Sequence, residues 1–67
     1  MSDLILTPNL AKPDDFYAGW LAAHDGLTKA ESDALNARLI LVLANHIGDN
    51  AVLADAVEAA RLTGDAP

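Results

Sequence analysis

The chain has 67 residues, no cysteine and a net charge of −6, with ten acidic side chains against four basic ones. That length holds one domain, the missing cysteine excludes disulfides and thiolate metal sites, and the acidic balance disfavours nucleic-acid phosphates and anionic lipid headgroups as partners. A folded chain of 7.0 kDa is expected to expose roughly 4,000 Å², against about 10,000 Å² unfolded, so its own core is small and association is the support expected, with a metal as the outsider.

Residues 1–12 read as an extended N-terminal arm. Leu4-Ile5-Leu6 is a short apolar run, and Thr7-Pro8-Asn9 is turn chemistry. Pro8 and Pro13 each oppose helix in the residue before them. No second convincing strand exists to pair with the run, so it is expected to clip over a helix surface.

The first helix is predicted over 13–25. Pro13 suits a first turn, and Asp14 and Asp15 suit the positive end of the helix dipole. Phe16, Trp20, Ala23 and Leu27 recur at helical spacing, as do Tyr17 and Leu21. Trp20 and Tyr17 are expected at the core or its edge. Gly26 is placed to cap the end.

The second helix has the strongest start signal. Thr28-Lys29-Ala30-Glu31 matches the capping box, in which the threonine oxygen accepts from the backbone and the glutamate reaches back. The helix is predicted over 29–47, with Gly48 stopping it. The third helix is predicted over 50–62, capped by Asp49 or Asn50. Its apolar stripe is Val52, Leu53, Ala56, Val57 and Ala60, and Gly64 ends it. Residues 65–67 should fray. The fold class is therefore all-α: a compact three-helix domain over 13–64, with antiparallel neighbours joined by short turns.

The second helix is the informative element. At 100° per residue, Leu35, Leu39, Val42, Leu43, Ile40 and Ile47 span an arc of about 160°, wider than the ~100° stripe of an ordinary surface helix. Its back carries Leu41, flanked by Ala34, Ala37 and Ala44, small residues that let another backbone approach. Either the helix is sandwiched within its own chain, or a second face is covered by another chain. The candidate interaction residues are Ala37, Arg38, Leu41, Ala44 and Asn45. Arg38 is read either as a surface partner of an acidic neighbour such as Asp33 or as an interface anchor.

Asn36 and His46 are polar positions on the broad apolar face. His46 at a helix C-terminus is read first as a hydrogen-bonded residue favoured by the dipole. His24 and His46 with Asp25 and Asp49 could gather around a metal, but no His-x-x-x-His or Glu-x-x-His spacing fixes two ligands on one face. No nucleophile or paired carboxylate is placed to join His46 in catalysis. No catalytic residue, metal or cofactor is expected.

An acyl carrier role would need a serine heading the second long helix in an Asp-Ser-Leu motif, and Ser32 is followed by Asp33. A DNA-reading third helix would offer Arg61 beside Asp55 and Glu58, a poor phosphate ligand set. No apolar run approaches the roughly 20 residues a bilayer span demands. Met1-Ser2-Asp3 lacks the basic start of a signal peptide. Cytoplasm is the expected compartment.

Pro8-Asn9-Leu10, Asp14-Asp15-Phe16-Tyr17, His24-Asp25-Gly26-Leu27 and the string from Asn36 to Asp49 (Asn-Ala-Arg-Leu-Ile-Leu-Val-Leu-Ala-Asn-His-Ile-Gly-Asp) resemble a small bacterial protein family of unknown function. The resemblance covers roughly 8–62, and the long string is its specific part. Members are often encoded beside flavin-dependent aromatic-ring hydroxylases, which implies an accessory role and supplies no catalytic residues. It draws attention to Asn36, Arg38, Asn45 and His46. The leading expectation is a non-catalytic interaction protein, a small subunit of a larger enzyme such as a flavin-dependent aromatic monooxygenase. The alternatives are a self-associating structural homo-oligomer and a small metal- or ligand-binding helical protein.

Overall fold

The computed structural model describes residues 3–64; the fraying expected for 65–67 lies outside them. The architecture is all-α, with α1 at Pro13–Ala23, α2 at Lys29–Ile47 and α3 at Asn50–Gly64. No strand occurs among the described residues.

Each helix end has a local cause. Pro13 occupies the first turn of α1, where its missing N–H would have no intrahelical partner, and Asp14 and Asp15 sit beside it. The helix ends two residues before the expected end. His24 N–H donates to the Leu21 carbonyl at 3.0 Å and Asp25 N–H to the Ala22 carbonyl at 3.1 Å, so the chain tightens into three-residue turns. Gly26, at φ 75°, then reverses it.

The capping box at Thr28 is formed in both directions. Glu31 N–H donates to Thr28 Oγ1 at 3.2 Å, and Thr28 N–H donates to Glu31 Oε1 at 2.9 Å. Gly48, at φ 68°, closes α2 with its N–H on the Ala44 carbonyl at 2.9 Å. Asp49 caps α3: its Oδ1 accepts from Ala51 N–H at 2.9 Å and Val52 N–H at 3.2 Å.

The helices touch one another sparingly. α2 and α3 approach within backbone contact range, whereas no Cα of α1 comes within 8 Å of a Cα in α2 or α3 among the described residues. Not one described residue is buried. The chain exposes 5835 Å², about 1,800 Å² more than a monomer of its mass ordinarily does.

Of the arm expected to clip over a helix, Ile5, Leu6 and Leu10 are exposed, Leu6 to 75%, while Leu4 is half-buried. One packing expectation changes. On α3 the half-buried residues are Val52, Leu53, Ala56 and Ala59. Val57 and Ala60 are exposed. The face toward the rest of the chain is thus narrower than the apolar stripe.

Candidate functional site

The junction of α1 and α2 is made by side chains. Trp20 Nε1–H donates to Asn36 Oδ1 at 3.1 Å. His24 lies one turn after Trp20, with its Nε2 2.9 Å from the same Asn36 oxygen and its Nδ1 2.7 Å from the Trp20 carbonyl. The indole donor fixes that Asn36 atom as the oxygen, so both ring nitrogens of His24 face acceptors. A neutral ring donates to one of them; a ring protonated on both nitrogens donates to both. His24 also stands edge-on to Trp20, ring centroids 5.1 Å apart, and Tyr17 lies 5.8 Å from Trp20 on the other side.

Beside this latch, in the wedge between α1 and α2, lie two open apolar clefts that share Phe16, Trp20 and Leu39. One, of about 340 Å³, lies between Phe16, Gly19, Trp20 and Ala23 of α1 and Leu35 and Leu39 of α2. The other, of about 320 Å³, lies between Phe16, Tyr17 and Trp20 and the Asn36, Leu39 and Ile40 side of α2. Asp15 at the rim of the first is the one charged residue lining either. A helix pair in direct contact would have filled both with its own side chains.

Beyond the wedge the broad arc of α2 lies open. Leu35 and Leu39 are half-buried under α1. Ile40, Val42, Leu43 and Ile47 are exposed, Ile40 to 65% and Leu43 to 47%. On the opposite side Leu41 is 70% exposed. Ala37, Arg38 and Asn45 around it are exposed and Ala44 is half-buried. Both faces of α2 are therefore uncovered within the chain, and the apolar surface is larger than the Leu41 side alone.

The polar candidates separate. Asn36 is drawn into the latch, while Asn45 and His46 stay exposed on the last turns of α2. No hydrogen bond of the His46 side chain is formed among the described residues. Arg38 does not pair with Asp33. Five residues apart, the two point about 140° away from each other on a helix, and Asp33 instead holds Lys29 at 2.8 Å across one turn. Among the described residues no group of three His, Asp or Glu side chains is gathered to hold a metal ion. No helix there is long and apolar enough to cross a membrane.

Sequence reasoning singled out Asn36 and His24 separately and missed their convergence with Trp20. The readable signal was the i, i+4 spacing of Trp20 and His24; the pairing with Asn36 across the turn has no local signature.

No curated protein and no solved structure matches this chain. The model of one family, described as protein of unknown function (DUF2783), matches residues 4–62.

Proposed function

We propose, for a chain that belongs to the DUF2783 family, that it is a non-catalytic interaction module: a small accessory subunit completed by contact with another protein. The observation that carries this reading is the absence of any buried residue among those described, beside an α2 exposed on two apolar faces. Folding must offset roughly 1–2 kcal/mol of backbone entropy per residue. Burial of apolar surface is the main term available to do so. A chain that leaves Ile40, Leu41, Val42, Leu43 and Ile47 in water forgoes much of that term, and contacts covering them restore it.

The partner class implied by the family resemblance is a flavin-dependent aromatic monooxygenase, with this chain supplying stability rather than reacting groups. The acidic charge of the chain, set at its helix ends and on α3, favours a partner with a basic rim around an apolar patch. Calorimetric titration of the purified chain against a flavin-dependent aromatic hydroxylase from the same organism tests the reading. Saturable binding is expected, with a rise in the apparent stability of both proteins. No binding, from a chain that alone unfolds cooperatively as a stable monomer, would overturn it.

A further inference from the structure

We infer that the broad face of α2, with the adjoining α1 wedge, is covered by a second copy of this chain, leaving the Leu41 face for a different partner. The inference deepens the interaction-module reading and rests on it. The centres of the two faces of α2 point in nearly opposite directions: Leu43 and Leu41 project about 160° apart on the helix, so a flat surface centred on one leaves the other uncovered.

Area suffices for a copy on the broad face. The chain exposes 5835 Å², about 1,800 Å² beyond a typical monomer of its mass. That excess is spread over the whole chain, the exposed arm included; a two-fold pair covering half of it buries about 1,800 Å² in total, above the ~1,600 Å² of a stable complex.

Charge permits the same occupant. Two chains of −6 repel at long range, yet residues 34–48 contain no carboxylate at all. Ile40, Leu43 and Ile47 can therefore meet their counterparts with no carboxylate of α2 between them; the wedge itself carries one, Asp15, which is exposed. Shape supplies the rest. Each chain offers both an open cleft beside Leu39 and exposed apolar side chains at Leu43 and Ile47, so an isologous pair can place the projecting side chains of one copy against the wedge of the other. The remaining surface around Leu41, with Arg38 and Asn45, is small and carries an arginine, which suits a limited contact with a larger protein.

Sedimentation equilibrium of the purified full chain, from micromolar to millimolar, tests this. A dimer of twice 7.0 kDa is expected. Leu43→Asp should weaken it by tenfold or more, whereas Leu41→Asp should leave it intact. Because the chain has no cysteine, single-cysteine variants give a second readout that does not depend on a disruptive charge. Leu43→Cys should form disulfide-linked dimers under mild oxidant faster than Leu41→Cys. A monomer throughout the concentration range, or dimerisation and cross-linking governed by position 41 instead of 43, overturns the inference. Binding to the hydroxylase is scored separately. A monomer that still binds it removes the dimer and keeps the accessory reading; a dimer that binds no enzyme does the reverse.

Discussion

Trp20 donates its indole N–H to the Asn36 side-chain oxygen at 3.1 Å, a tertiary bond that joins α1 to α2 where their backbones do not meet. Its removal should loosen α1 specifically. Asn36→Ala deletes the acceptor for both Trp20 and His24. The site is only partly buried, so each lost bond should cost about 0.5–1.5 kcal/mol. Trp20 is the only tryptophan, so its fluorescence reports this junction alone. A red shift of emission is expected in Asn36→Ala, with helix content by circular dichroism nearly unchanged. Unaltered emission would mean that the latch does not hold α1 in place.

The start of α2 gives a sharper local expectation. Thr28→Ala removes the acceptor of the Glu31 N–H and should cost about 1 kcal/mol of stability in urea unfolding. Asp33→Ala, which breaks the exposed pair with Lys29, should fall within experimental error. Equal effects of the two changes would contradict the hierarchy between the cap and the surface pair.

Gly48 closes α2 at φ 68°. A Cβ built there would meet nothing nearer than the Asn45 carbonyl oxygen, at 3.7 Å, so the cost of Gly48→Ala is conformational and not steric. About 1–2 kcal/mol is expected for an L-residue held in the left-handed region. Gly19→Ala is the contrasting change. It adds a helix-favouring methyl at a mid-helix site with open space and should stabilise the chain by about 0.5–1 kcal/mol. Paired urea melts of the two variants read both signs.

These local features were legible because their chemistry is written within a few residues: Thr28 to Glu31 for the cap, Gly26 and Gly48 for positive φ. The three helices and their order followed from them. The end of α1 was misplaced because His24 and Asp25 carry helix-compatible side chains, while the backbone there had already tightened toward Gly26. The site was only half readable. The 160° arc of α2 identified its apolar side chains, but periodicity cannot say whether their own chain or another covers them. The meeting of Trp20 and His24 with Asn36 depends on how the turn at 24–28 folds the two helices together. No spacing within either helix encodes it.

Leu41 separates a core role from a docking role most directly. It lies among Ala34, Ala37 and Ala44 on the back of α2 and is 70% exposed in the chain. A leucine in a packed core would cost about 2–5 kcal/mol on truncation to alanine. One already in water has few contacts to lose, so Leu41→Ala should change the unfolding free energy by less than about 0.5 kcal/mol. Leu39, half-buried under α1 between both clefts, is the matched comparison, and Leu39→Ala should be clearly the more destabilising. Binding to a larger partner should respond in the opposite order. Leu41→Ala should weaken it by about 1 kcal/mol or more, as for a buried anchor, and Leu41→Asp further, because a charge must enter a dry contact. Urea unfolding of each variant, paired with calorimetric titration, measures both quantities. Strong destabilisation by Leu41→Ala with unchanged binding would place Leu41 inside a core. The back of α2 would then cease to be a docking face.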